Sequence, residues 1–420
     1  MIKRILYTLL IMFPVVASAQ INTDRVMAIG RNALYFEDYV LSIQYFNQVI
    51  NAKPYLSDPY FYRGLAKINL DDFQGAESDC SEAIERNPFV VSAYQVRGLA
   101  RIQQNNFAGA IEDYTKALEF DPENIGVWHN MALCRIRQED YKGAKNDLDK
   151  LIAISPRYTK AYLMRGEVDL KQKDTLAAEK DFGKAIEIDR YDSDTWASRA
   201  ILRLQQQRYK DAEADFDHAI RLSTRNSGVY INRALARYHQ NNLRGAMSDY
   251  DIALDIDPNN FIGHYNRGLL RAQVGDDNRA IQDFNFVIEM EPDNMMAIFN
   301  RGLLLDQTGD YKGAIKDYST VINEYPNFLL GYQYRAQARR KIGDVKGADA
   351  DEFKVLKAQL DKQNGVDPNK QTADNTENNK TRKKSDKNMN NYRKIVVADN
   401  EEGEEKYKSD YRGRVQDKNV

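Results

Sequence analysis

The stretch YNRGLLRAQVGDDNRAIQDF, Tyr265 to Phe284, is written again as FNRGLLLDQTGDYKGAIKDY, Phe299 to Tyr318, thirty-four residues further along. Carried outward from that pair, a thirty-four-residue frame starting at Thr23 fits ten times without insertion or deletion and runs to Lys362. Position 20 of the frame reads Ser42, Ala76, Ala110, Ala144, Ala178, Ala212, Ala246, Ala280, Ala314 and Ala348. Position 8 is glycine or alanine in every block, from Gly30 to Ala336. Position 4 is usually a large ring (Tyr60, Tyr94, Trp128, Tyr162, Trp196, Tyr230, Tyr332), from which His264 and Ile298 depart. Position 32 is proline except at Arg190, Thr224 and Leu360. An exact internal period outranks every local signal in deciding the fold.

Positions 4, 8 and 11 share one face of a helix, and positions 20, 24 and 27 share one face of a second. Small residues at 8 and 20 let the two helices approach, and rings at 4 and 24 (Phe46, Tyr114, Phe182, Phe216, Tyr250, Phe284, Tyr318) fill the space beside them. Turn formers lie between, as in Asn105-Asn106, Asn241-Asn242, Gly309-Asp310 and Gly343-Asp344. Proline at 32 cannot continue the hydrogen-bond ladder and closes the second helix. One such hairpin cannot bury its apolar face alone, so neighbours must stack.

In period and signature these blocks resemble the tetratricopeptide repeat. The resemblance covers about four-fifths of the chain and implies an all-α fold: a right-handed α-solenoid of helix-turn-helix repeats over residues 23–362. It departs mainly at the ends, at Val26 and Ser42 in the first block and at Glu352 in the last, where a polar residue suits a terminal helix with no neighbour to cover it.

The resemblance also implies a concave groove lined by first helices, with positions 2, 5, 6 and 9 facing an extended peptide or a partner helix. Position 6 is Asn232, Asn266 and Asn300 in three consecutive blocks, and Asn130 earlier. An amide there both donates to and accepts from a peptide backbone. With Ile231, Tyr265 and Phe299 at position 5, blocks seven to nine are expected to place backbone clamps beside apolar pockets. A structural reading stands beside it, in which Asn-Arg-Gly is a first-helix idiom and the amide is solvated or bonded to the next repeat. The lysine at 5 and asparagine at 9 with which chaperone-type members hold a terminal carboxylate are absent in phase, so that activity does not carry over.

Position 7, normally apolar in the family, is arginine in eight blocks, and position 23 is aspartate in nine. Both border the packed faces, where a lone charge is costly. Pairs such as Arg267 with Asp283 and Arg301 with Asp317 are therefore expected within or between repeats. Block one lacks both members (Ile29, Tyr45), and block four replaces the arginine with Met131 but carries Arg135 one turn later. Joint loss, or loss with a substitute nearby, is the pattern pairing produces.

Composition sets the remaining bounds. At 42% hydrophobic, 29% charged and net charge -2, the 420-residue chain has no global bias toward nucleic acid. Lys3 and Arg4 precede an apolar run from Ile5 to Val16, shorter than the roughly 18 to 20 residues that span a bilayer. Ala17-Ser18-Ala19 follows, so residues 1–19 are expected to be a signal peptide and the mature chain exported. The periplasm is the expected location, with the secretory lumen or extracellular space as alternatives. Cys80 and Cys134 fall two repeats apart, too far for a disulfide, and are expected as buried free thiols. His129, His218, His239 and His264 show no metal-ligand spacing, and neither a phosphate loop nor a nucleophile elbow is present. No cofactor and no catalysis are expected.

From Gln363 the register stops, and residues 363–420 turn to Asn, Lys, Asp, Glu and Thr, a composition that buries too little apolar surface to fold alone. A disordered tail is expected. Within it YRKIVVADN from Tyr392 and YRGRVQDKNV from Tyr411 carry β-branched residues able to add a strand to a partner or dock in a groove, while the basic cluster around Lys380 to Lys394 is suited to an anionic membrane surface. The expected function is a non-catalytic scaffold that binds partner peptides or proteins in the groove. A periplasmic holder of unfolded peptides and an accessory subunit of an envelope enzyme or secretion complex are the alternatives.

Overall fold

The structure, a computed structural model, describes residues 22–222, 225–364, 389 and 391–398. The expected leader and the stretch from Tyr411 lie outside the described residues. The chain is built of helices joined by short turns, and no strand occurs among the described residues. Two compact units divide at Ile188 and Asp189. The first holds α1 (Thr23–Tyr35), α2 (Tyr39–Ala52), α3 (Asp58–Ile68), α4 (Phe73–Arg86), α5 (Val91–Gln103), α6 (Phe107–Phe120), α7 (Ile125–Arg137), α8 (Tyr141–Ile154), α9 (Thr159–Lys171) and α10 (Thr175–Ile188). The second holds α11 (Ser193–Gln205), α12 (Tyr209–Arg221), α13 (Ser227–His239), α14 (Leu243–Ile256), α15 (Phe261–Gln273), α16 (Asp277–Met290), α17 (Met295–Thr308), α18 (Tyr311–Glu324), α19 (Leu329–Lys341) and α20 (Val345–Gln363). Within each unit every odd helix packs on the even helix after it, and that one on the next odd helix.

The small positions sit where the hairpins close. Ala76, Ala110, Ala246, Ala280 and Ala314 are fully buried. A β-carbon on Gly166 would lie 2.6 Å from the Phe182 ring, and one on Gly98 would lie 2.9 Å from Tyr114. Position 15 turns every hairpin with positive φ, from +59° at Asn105 to +92° at Gly309, although only Gly275, Gly309 and Gly343 are glycine there. Position 16 then caps the second helix: Asp72, Asn106, Asp140 and Asp310 each accept the backbone N–H three residues on.

The rings at position 4 do more than fill space. Trp128 Nε1 donates to the Pro122 carbonyl at 2.8 Å, and Tyr162 and Trp196 reach Pro156 and Arg190 in the same way. His264 keeps this role, with Nε2 3.1 Å from the Pro258 carbonyl oxygen. Where the position carries a ring with a polar tip, that tip satisfies a carbonyl that the preceding helix leaves open, a bond Ile298 cannot make.

Each position-7 arginine forks onto the aspartate of its own hairpin. Arg267 donates to Asp283 at 2.7 and 3.1 Å, and Arg301 to Asp317 at 2.7 and 2.8 Å. In most repeats its remaining nitrogen reaches back to position 25 of the preceding repeat, to Asp251 from Arg267 and to Asn285 from Arg301, while Arg199 meets Gly183 there, which has no side chain. Position 11 supplies a second base in several repeats, as when Arg271 donates to Asp283 at 2.7 Å. Arg101 and Arg237 at position 11 also reach back, to Glu77 and Glu213 at position 21. Between repeats four and five the polarity is reversed: Lys145 holds Asp169 at 2.5 Å.

In block four only Arg135 serves Asp147, and burial pushes that carboxyl up to about 6. Asp283 is buried too, but hydrogen bonds from His264 and Arg267 outweigh burial and hold it below the usual range. Cys80 and Cys134 are buried free thiols, and burial pushes the Cys134 thiol up to about 12. On the last helix Glu352 is exposed and pairs with Arg340, while Phe353 and Leu356 face solvent.

Candidate functional site

Position 6 of repeats seven, eight and nine lies on consecutive first helices of the second unit, α13, α15 and α17, so three amides face one groove one repeat apart. The groove is occupied. Residues 392–398, expected to be a solvated extension, run along it instead. Asn266 Nδ2 donates to the Val396 carbonyl at 2.7 Å, and the Val396 N–H donates back to Asn266 Oδ1 at 2.8 Å. Asn232 makes the same closed pair with Ala398, at 2.9 Å in both directions. Asn300 Nδ2 donates to the Tyr392 carbonyl at 2.5 Å and to the Met296 carbonyl of its own helix at 2.8 Å. The Tyr265 hydroxyl gives that Tyr392 carbonyl a second donor at 2.7 Å.

The segment runs against the order of the repeats. From Val396 to Ala398 it spends two residues, about 7 Å of extended chain, on one repeat. From Tyr392 to Val396 it spends four, because the backbone turns there: Lys394 N–H donates to the Asn391 carbonyl. All three asparagines are at most 5% exposed, so the amides have exchanged water for backbone groups. Burial pushes the Tyr265 phenol well above its ordinary value, which keeps it protonated as a donor.

Side chains enter the groove at every third residue. Met389 is buried against the cluster of Ile298, Phe299, Tyr318 and Phe328. The Tyr392 ring meets Phe299 edge to face, with centroids 4.8 Å apart. Ile395 packs among Ala197, Ala200, Leu235 and Leu269, and Ala398 among Ile231, Ala234 and Leu270. Arg393, Lys394, Val396 and Val397 face outward. Backbone clamps fix the register, and the side chains of Met389, Tyr392, Ile395 and Ala398 report the sequence.

Ile231, Tyr265 and Phe299 therefore lie together in this groove with the asparagine trio. Asn130 stands apart in the first unit, buried on α7, with its Nδ2 3.5 Å from the Tyr114 hydroxyl of the preceding hairpin. His129 beside it is buried 3.2 Å from the Tyr158 hydroxyl. Among the described residues no group of His, Cys, Asp and Glu side chains could hold a metal ion, and no helix is long and apolar enough to cross a membrane. The basic residues from Lys380 to Lys387 lie outside the described residues. The sequence marks YRKIVVADN as able to dock in a groove but does not say in which one, because partners 166 residues apart share no phase.

Family models described as tetratricopeptide repeat match residues 125–158, 159–192, 198–261 and 265–327, and one described as TPR repeat matches residues 98–134. No curated protein matches the sequence. Among solved structures the chain is similar to a tetratricopeptide repeat protein from Parabacteroides merdae, at 21% identity and a TM-score of 0.47 over 59% of this chain and 98% of that one. It is also similar to YrrB, described as a TPR protein with an unusual peptide-binding site, at 20% identity and a TM-score of 0.37 over 44% of this chain and 95% of that one. A third is the Cut9–Hcn1 hetero-tetramer of the APC/C, at 14% identity and a TM-score of 0.46 over 69% of this chain and 57% of that one.

Proposed function

This chain belongs to the tetratricopeptide-repeat proteins, and on that footing we propose that it is a non-catalytic interaction scaffold whose second unit takes an extended segment of a partner along Asn232, Asn266 and Asn300. The observation that supports this reading is the pair of closed amide-to-backbone exchanges with Val396 and Ala398. Amides placed to satisfy both the N–H and the C=O of a passing residue accept any extended chain, and leaving buried amides unmet costs about 1 to 3 kcal/mol each. A solvated first-helix idiom has no use for three buried amides in phase. We place the protein among exported envelope proteins on the strength of residues 1–19 alone, and N-terminal sequencing of the mature chain, expected to begin at Gln20, tests that placement.

The test of the ladder uses the full chain with its tail released by Ile395→Asp and a labelled synthetic peptide of residues 388–399, NMNNYRKIVVAD. The peptide should bind the released chain, and adding Asn232→Ala, Asn266→Ala and Asn300→Ala should abolish binding while helicity stays unchanged. Equal binding with and without the asparagines overturns the reading. A crosslinked pull-down then separates a scaffold, which recovers one stoichiometric partner, from a holder, which recovers many unrelated chains.

A further inference from the structure

The tail does not fill the groove it occupies. Between the Tyr392 and Ile395 anchors lies an open cavity of about 440 Å³ whose walls are mixed, with Leu269, Leu303 and Leu304 beside Gln273, Gln307 and Arg393. Leu269 and Leu303 are the position-9 residues of repeats eight and nine, on the face that presents the ladder. Arg393 is the tail residue that passes this cavity, and it is an exposed residue whose guanidinium lies 5.3 Å from the Tyr392 ring centre. An apolar side chain laid into this space would cover Leu269 and Leu303, which Arg393 leaves partly open to solvent.

We propose that the groove's partner is an extended peptide that keeps the tail's register on the asparagine ladder and places a large apolar side chain where the tail carries Arg393, and that the tail is a placeholder such a peptide displaces. This rests on the ladder reading above. The partner pattern is a ring at the place of Tyr392, a large apolar residue next to it, a branched aliphatic at the place of Ile395 and a small residue at the place of Ala398. Between these anchors the clamps touch only backbone, so intervening residues are free to vary. The tail holds an advantage of its own, because tethering raises its local concentration. A free partner must therefore bind better residue for residue, and the vacant space beside Arg393 is where the structure leaves room for that.

Three synthetic peptides test this: NMNNYRKIVVAD, its Arg393→Phe form and its Arg393→Gln form, each titrated by fluorescence anisotropy against the wild-type full chain and the Ile395→Asp full chain. On the released chain the phenylalanine peptide should bind at least about tenfold more tightly than the other two, the increment expected for burying one aromatic side chain. On the wild-type chain only that peptide should bind, and amide exchange at Val396 and Ala398 of the tail should rise as it does. Leu303→Ala, which removes apolar wall without adding charge, should shrink the preference of the phenylalanine peptide over the glutamine peptide. If all three peptides bind the released chain equally, the cavity is not a specificity pocket and the proposal falls while the ladder stands. If the glutamine peptide matches the phenylalanine one, loss of charge explains the difference and the proposal falls again. If none binds the released chain, the ladder reading itself is wrong.

Discussion

Asn266 and Val396 exchange two hydrogen bonds, at 2.7 and 2.8 Å, across 130 residues of sequence. Removing the amide leaves a buried N–H and C=O of the tail without partners at a cost of about 1 to 3 kcal/mol. Hydrogen exchange of the peptide covering 392–398 should therefore be at least about tenfold faster in Asn266→Ala than in the parent. Asn130→Ala, in the first unit and bonded to Tyr114, should leave that exchange unchanged. Identical protection in all three proteins would mean the tail is held by its anchors alone.

The position-7 arginines are structural. Arg267 bridges Asp283 of its own hairpin and Asp251 of the preceding one, and Asp283 is 2% exposed. Arg267→Met leaves Asp283 with Arg271 and His264 and should lower unfolding free energy by about 1 to 3 kcal/mol, the range for losing charge-assisted hydrogen bonds. Arg340, whose partners Asp349 and Glu352 are on the surface, should tolerate methionine with no change in urea midpoint. An unmoved midpoint for Arg267→Met would show a solvated guanidinium.

Repeat four carries a vacancy in the same ladder. With Met131 at position 7, Asp147 has only Arg135, and burial lifts its carboxyl from 3.8 to about 6. A carboxyl raised in the folded state binds its proton more tightly there, so this site favours the fold at low pH and loses that contribution as pH rises through about 6. Met131→Arg should restore the second base, draw Asp147 down and stabilise the chain by about 1 to 3 kcal/mol at pH 7.5. The stabilisation should be smaller at pH 5, where Asp147 in the parent is largely protonated. A pH-independent difference between the two proteins would exclude this account of Met131.

Seven hairpins turn on a non-glycine residue with positive φ. Lys173, at φ +65°, should accept glycine with stabilisation of about 0.5 to 1 kcal/mol, read as a rise in midpoint. Gly309, at φ +92° with nothing within 4 Å of the site of a β-carbon, should lose about 1 kcal/mol or more as alanine through backbone strain alone. Opposite signs are the diagnostic outcome.

The repeat frame was legible because ten copies in phase amplify weak signals: one alanine means little, and nine at position 20 fix where two helices meet. The arginine-to-aspartate pairs were legible for the same reason. Their return contacts to position 25 were not, since that position varies among Asn47, Ser81, Asp149 and Asn285 and is Gly183 in one repeat. The ring at position 4 passed for packing because its hydrogen bond points to a carbonyl, which every residue has. The asparagine trio stood out as polar residues in phase on a face reserved for contact. The tail that meets them did not, because its anchors Met389, Tyr392, Ile395 and Ala398 are diluted in a stretch rich in Asn and Lys, where composition argues for solvation.

The reversed couple of Lys145 and Asp169 shows that these modules are not interchangeable links. Excising residues 159–192, one whole period, would keep the frame intact yet bring Lys145 against Arg203, like charge to like, where the joints at Arg101 and Arg237 have attraction. The fourth and fifth modules therefore work as a matched set, and removing or exchanging one of them alone would undo the pairing of both.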